Sequence, residues 1–216
     1  MPKNGHVTPS NFSKIMTMAQ YKKILKDKKE VLEFSVTAQK YAVTVCRGFL
    51  GVEDREITAR ALEHGKTYEP VAREAYEFEN MMIVAPIIEP IYHPKFRFVC
   101  GIPDGLVGDD GILEIKCPEN PDNHFMNVTE GMQIEEYYAQ IQGYMWITGR
   151  KWCDFVSYHP YYPKKHRLCT HYVDRDEVYI DVLERKILSF FNLVLDTMKQ
   201  FSVEESENMK KLSYIA

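Results

Sequence analysis

The sequence predicts one α/β domain spanning residues 1–216, a central mixed β-sheet flanked by helices. Three observations predict it. Apolar residues recur at helical spacing in the first third of the chain and again over its last forty or so residues. From 83 to 116 the pattern changes to short β-branched runs punctuated by Pro and Gly, and one further helical stretch separates these from a final pair of strands. At 216 residues the chain can bury one sizeable core and is short for two domains.

Taken in order, Ser10 is expected to cap a short helix from 11 to about 18, with Thr8 and Pro9 upstream. Lys22, Lys23, Lys26, Lys28 and Lys29 form a basic run, the composition of a solvated face. Residues 35–49 read as a helix stopped near Gly48 and Gly51. A long helix is expected over 58–80, with Leu62, Gly65, Glu69, Ala72 and Tyr76 as its buried stripe. Pro70 lacks a backbone donor and disfavours helical geometry at Glu69, which predicts a kink or a new helical start.

Strands are expected at Ile87-Ile88, at Ile91-Tyr92 and over 96–107. The turn Asp109-Asp110-Gly111 then leads into a strand over 112–117, since Asp-Gly between apolar runs is a strong hairpin signal. Residues 118–131 read as a polar loop. Residues 134–148 form an amphipathic helix with Tyr137, Ile141, Tyr144 and Thr148 along one stripe. Two more strands, 151–158 and 167–173, flank a turn-rich 159–166. A closing helix carries Val178, Leu183, Ile187, Phe190, Phe191, Val194, Leu195 and Met198 at core spacing.

Composition narrows the class. Hydrophobic residues make up 45% and charged residues 27%, the balance of a soluble globular protein. No signal-peptide pattern opens the sequence, and the longest apolar stretch, 81–91, is too short and too broken to span a bilayer. A cytoplasmic setting with no membrane partner is expected. Five scattered cysteines without a CxxC pair argue against a disulfide framework and against a zinc or iron–sulfur knuckle. Nor do the seven histidines show the spacing of a zinc hydrolase.

The chemistry concentrates in Gly101-Ile102-Pro103-Asp104-Gly105 and, after nine intervening residues, Glu114-Ile115-Lys116. Side chains alternate faces along a strand, so Glu114 and Lys116 point one way while Leu113 and Ile115 point the other. Folding the hairpin at 109–111 brings Asp104 beside Glu114. Two neighbouring carboxylates repel unless a cation sits between them, and Mg²⁺, which prefers oxygen ligands, fits that need. Lys116 then stands where it can orient or deprotonate a water attacking a phosphodiester. This is the pattern of PD-(D/E)xK nucleases. An ordinary surface ion pair would explain Glu114 and Lys116 alone, but the Pro-Asp at the right distance upstream makes the pattern more specific.

Two helices add candidates. Glu69 on a buried stripe is costly unless paired or metal-bound, so it is either the partner of Arg73 or of a neighbouring lysine, or a third acid at the same site. Gln140 and Tyr144, one helical turn apart, can hold a phosphate or a water by hydrogen bonds, or can simply border the core. The formal charge of −4 does not decide the matter, because clustered acids that hold cations can coexist with a narrow basic path for DNA.

These residues resemble the lambda-type phage exonucleases, also called YqaJ-like viral recombinases, over most of the chain from Gly5 onward. The resemblance is carried by Ala61-Leu62-Glu63-His64-Gly65-Lys66-Thr67-Tyr68-Glu69, by Pro103-Asp104-Gly105-Leu106 and by Leu113-Glu114-Ile115-Lys116-Cys117-Pro118. It continues in Tyr138-Ala139-Gln140-Ile141-Gln142, Met145-Trp146-Ile147-Thr148 and Tyr158-His159-Pro160. It implies a restriction-endonuclease-like core. It also implies two Mg²⁺ ions, replaceable by Mn²⁺, on Asp104, Glu114 and the Ile115 carbonyl, with Glu69 contributing directly or through water. Lys116 would be the catalytic lysine, and Gln140 would contact the water or the phosphate.

The implied activity is 5′ to 3′ digestion of one strand of duplex DNA from an end, releasing mononucleotides. A 3′ single-stranded tail is left for a single-strand annealing protein, and the enzyme forms a ring-shaped homo-oligomer, favouring a trimer. Better-known members carry an extra N-terminal segment with a tryptophan and an arginine that bind the 5′ end. Here Gly5-His6-Val7-Thr8-Pro9-Ser10 follows almost at once. Ser10 is therefore the candidate 5′-phosphate ligand, Lys3 a stand-in for the arginine without its bidentate geometry, and Tyr144 a further DNA contact. Ile102 stands where a relative has serine, which removes a possible phosphate contact. The same core residues also serve PD-(D/E)xK endonucleases and helicase-associated repair nucleases, and a catalytically inactive DNA-binding module could keep the fold.

Overall fold

The computed structural model describes residues 5–17, 34–52, 60–131 and 134–213. Lys3, the basic run from Lys22 to Lys29 and the expected helix start at 58 lie outside the described residues.

Near the N-terminus, Val7 pairs in parallel with Val99, its N–H donating to the Phe98 carbonyl at 2.8 Å. A 3₁₀ turn, Pro9–Asn11, and helix α1, Phe12–Met16, follow. The expected cap is corrected here. Pro9, with its φ already fixed, starts the turn, so Thr8 precedes it and Ser10 lies inside it. Helix α2, Val36–Phe49, is capped by Ser35, whose hydroxyl accepts from Ala38 N at 3.2 Å.

Helix α3, Arg60–Asn80, runs without interruption through Pro70, so no new helical start forms. Pro70 and Lys66 are both exposed, and the carbonyl that loses its intrahelical donor is left on the solvent side. Only the second half of the expected stripe packs: Ala72 and Tyr76 are buried, whereas Leu62 is 51% exposed.

Five strands form a mixed sheet in the order β1-β4-β5-β6-β7: Val84–Ala85, Gly105–Val107, Gly111–Lys116, Trp152–Tyr158 and Leu168–Asp174. Only β5 and β6 are parallel; the other pairs are antiparallel. A separate pair joins β2, Ile91–Tyr92, to β3, Cys100–Gly101. Two strand expectations change. Ile87-Ile88 is not a strand, and Ile88 is 81% exposed beyond Pro86. The single strand expected over 96–107 is broken at Ile102-Pro103-Asp104, where Pro103 has no N–H to give a ladder. That break carries the chain from the small sheet to the large one and leaves Asp104 at the junction.

The expected polar loop after β5 contains helix α4, Pro121–Thr129, capped by Asn120 Oδ1, which accepts from Asp122 N at 3.0 Å. Buried His124 anchors it, one ring nitrogen 2.8 Å from Ser157 Oγ and the other 2.7 Å from the His166 carbonyl. Helix α5, Ile134–Thr148, crosses one face of the sheet. The closing helix is two: α6, Glu177–Phe201, and α7, Val203–Ser213, separated at Ser202 by an extended residue.

Strand β5 decides what faces what. Leu113 and Ile115 join Ala72 and Tyr76 of α3 in one apolar cluster, while Ile112 joins Ile141, Tyr144 and Met145 of α5 in another. Glu114 and Lys116 share the Ile112 face, toward α5. A larger cluster around Phe190, Phe191 and Tyr41 joins α2 to α6 beside the sheet. Among the described residues, no helix is long and apolar enough to cross a membrane.

Candidate active site

The β4–β5 register pairs Gly105 with Leu113, which sets Asp104 alongside the next part of β5. There the Ile115 N–H donates to Asp104 Oδ2 at 2.6 Å. The N–H and C=O of one strand residue point the same way, so the Ile115 carbonyl is also turned toward Asp104 and away from β6. Lys116 Nζ donates to Glu114 Oε1 at 2.8 Å and lies 4.9 Å from the centre of the Tyr137 ring. Gln140 of α5 donates from Nε2 to the same Glu114 oxygen at 2.7 Å, and its Oε1 lies 3.4 Å from Lys116 Nζ.

Glu114 is only 2% exposed, and its Oε2 is buried with no hydrogen-bond partner. Such an oxygen is expensive in an apolar interior. Burial, with Glu114 and then Glu69 nearby, pushes the Asp104 carboxyl well above the ordinary range. Burial likewise raises Glu114, against the pull of Lys116. For Lys116, burial works downward but the two carboxylates outweigh it, and the ammonium is held. Both carboxyls therefore favour a positive charge or a proton between them.

Glu69 stands on α3 over this group, close enough to raise both carboxyls. Its Oε1 receives Arg73 Nη2 at 2.7 Å, an ion pair formed while Glu69 still stands beside the two carboxyls. The same Nη2 donates to the Asp104 carbonyl at 3.1 Å, which ties α3 to the strand break. Arg73 thus sits at the site as well as in the ion pair. Its position four residues after Glu69 gave the pairing from sequence, but its grip on Asp104 depends on how α3 docks.

Tyr144 is 5% exposed, and its hydroxyl donates to the Ile102 carbonyl at 3.1 Å with Gln140 Nε2 3.5 Å away. It braces the strand break and Gln140 from inside, and its ring offers no open face to DNA. Ser10 is exposed, its hydroxyl 3.2 Å from that of Thr8. Its turn reaches the site through Pro9: a Cβ added to Gly101 would meet both Pro9 Cδ and Tyr144 Cε1 at 2.8 Å.

A hard divalent cation fits these residues. The unpartnered Glu114 Oε2, the Asp104 carboxylate and the Ile115 carbonyl are all oxygen donors, and a cation would relieve the repulsion between the acids. Among the described residues, no three His, Cys, Asp or Glu side chains form a metal cage. Two carboxylates and a carbonyl, completed by water, are the sparse protein ligation that Mg²⁺ accepts.

The model of the YqaJ-like viral recombinase domain matches residues 2–151. An alkaline exonuclease from Laribacter hongkongensis, LHK-Exo, is 30% identical over 95% of both chains, with a TM-score of 0.79. The structure of LHK-Exo in complex with dAMP gives a TM-score of 0.80 at the same identity and coverage. A phage-related exonuclease from Haemophilus somnus 129PT shares the fold at 17% identity, with a TM-score of 0.77 over 91% of this chain and 96% of that one. No curated protein matches the chain.

Proposed function

Because the chain belongs to the YqaJ-like viral recombinase family, we propose that it is a magnesium-dependent exonuclease that digests duplex DNA from an end. The observation that carries this reading is the buried Asp104, Glu114 and Lys116 group with its unpartnered Glu114 oxygen. Support comes also from the alkaline exonuclease of Laribacter hongkongensis, alike over 95% of both chains. Its complex with dAMP suits an enzyme that releases mononucleotides. Digestion runs 5′ to 3′ and leaves a 3′ single-stranded tail for an annealing protein, in keeping with a recombinase family. A ring-shaped homo-oligomer, trimeric in this proposal, would supply processivity.

Asp104, Glu114 and the Ile115 carbonyl would hold Mg²⁺, or Mn²⁺ in its place, two ions to a site. Bound there, the metal would polarise the phosphate and neutralise its charge. Lys116 brings an ammonium to the same face, where it hydrogen-bonds the attacking water and offsets charge developing on the phosphate. Gln140 fixes the Lys116 amine and Glu114 Oε1 relative to each other. Glu69, held by Arg73, is a third carboxylate in reach of a water at the site. Ser10 presents a hydroxyl for the 5′-terminal phosphate.

Linear duplexes labelled at the 5′ or the 3′ terminus, assayed with Mg²⁺ beside a covalently closed circle, test the proposal. The 5′ label should appear first as mononucleotide while the circle stays intact. Nicking of the circle would replace the reading with an endonuclease, and no acid-soluble product from any substrate would replace it with a binding module.

A further inference from the structure

Beyond the cleavage group lies a set of rings that the hydrolytic chemistry does not use. Strands β5 and β6 are parallel, with Lys116 opposite Ser157, so the segments leaving their carboxyl ends emerge side by side. Glu119 on one and His159, Tyr161 and Tyr162 on the other line a cavity of about 370 Å³. Glu119 follows Lys116 by three residues, which places their Cα atoms no more than about 11 Å apart, within reach of a neighbouring nucleotide.

Tyr161 is 78% exposed. Its hydroxyl lies 3.2 Å from that of Tyr68, the residue before Glu69 on α3. Its ring meets Tyr68 at 73° and His159 at 67°, so neither neighbour stacks on it. His159 beneath it is 2% exposed, and its Nδ1 lies 3.4 Å from the Tyr161 amide. The ring is thus aimed by its surroundings but left uncovered. Next to it the exposed turn Lys164–His166 carries two lysines, charges suited to a phosphate backbone.

We propose that this cavity is a nucleobase subsite in which Tyr161 stacks on a base of the DNA strand adjoining the scissile phosphate. Stacking on an aromatic face is tolerant of sequence, as an enzyme that digests any duplex end requires. The inference rests on the nuclease reading above, and its test separates the two.

Single-turnover digestion is measured with Mg²⁺ on duplexes that are intact or carry one abasic nucleotide at each of the first four positions from the 5′ end. Wild-type protein, Tyr161→Phe and Tyr161→Ala are compared, with folding checked by thermal melting. Wild type and Tyr161→Phe should slow roughly 5- to 100-fold when the missing base is the one that would stack. Tyr161→Ala should be slower on intact DNA by a similar factor and indifferent to the abasic position. Equal sensitivity of wild type and Tyr161→Ala at every position, or no sensitivity in either, overturns the subsite and leaves the nuclease reading standing. Failure of the wild type to digest intact duplex overturns the nuclease reading, and the subsite with it.

Discussion

Gln140 Nε2 donates to Glu114 Oε1 across 2.7 Å, on the same oxygen that receives Lys116, while Oε2 of that carboxylate stays buried and unpartnered. One oxygen is saturated and the other is kept open. A carboxylate held this way can offer its free lone pairs to a cation without losing its place beside the lysine.

Replacing Lys116 by Ala should therefore remove turnover while leaving binding of duplex DNA largely intact. Single-turnover cleavage and fluorescence anisotropy on the same labelled duplex check both parts. Turnover within a few-fold of wild type would refute the role given to Lys116.

Gln140→Ala should slow cleavage by about 10²-fold, the usual cost of losing one positioned hydrogen-bond donor in an active site. Glu114 Oε1 keeps its bond to Lys116 in this variant, so the melting temperature should change little. A rate close to wild type would mean that Gln140 is only a border residue of the core.

The close approach at Gly101 predicts a variant that disturbs the site from behind. In Gly101→Ala the new methyl meets Pro9 and Tyr144 at 2.8 Å, and one of them must move. Overpacking of this kind costs about 1–3 kcal/mol, readable as a lower urea midpoint. The proposed preference for a 5′-phosphorylated end over a 5′-hydroxyl should weaken with it, because Pro9 carries Ser10. A variant as stable and as selective as wild type would show that the turn is not held through this contact.

His93 gives a prediction about pH. It is buried against Trp146 and Phe96, and its Nδ1 accepts from Lys95 N at 3.1 Å and Phe96 N at 3.2 Å. Burial, with Lys95 nearby, lowers its pKa from 6.5 to about 4. A depressed folded pKa means stability that is present above pH 6.5 and is lost as pH falls toward 4. The loss would amount to roughly 3 kcal/mol in all. His93→Asn keeps an acceptor for both amides and does not titrate. Its urea-unfolding free energy should fall less steeply between pH 7 and 4.5 than that of wild type. Identical slopes would rule out His93 as a source of acid sensitivity.

Much of this site was legible because it rests on local rules. A hairpin forms where the sequence places one, although its turn is residues 108–110 and Gly111 already belongs to β5. The two-residue alternation of that strand puts Glu114 and Lys116 on one face, and the hairpin brings Asp104 alongside. The same rules went astray where a distant element settled the outcome. The polar composition of 118–131 predicts a loop although Asn120 and Pro121 are sound start signals for helix α4, because its buried polar anchor, His124, finds Ser157 only across the fold. The sequence likewise predicts Ser10 as a cap, whereas Pro9 begins a 3₁₀ turn that takes Ser10 inside it.

By itself, then, the sequence determined the α/β class, the strand that presents the acid and the lysine, and the helix that brings Gln140. Only the tertiary structure decided that Arg73 also grips the Asp104 carbonyl, that Tyr144 braces from within, and that Tyr161 is left uncovered beside Tyr68 of α3. The reason is physical. Backbone periodicity and turn geometry act over a few neighbouring residues, whereas the partner and exposure of a polar side chain depend on which surface docks against it.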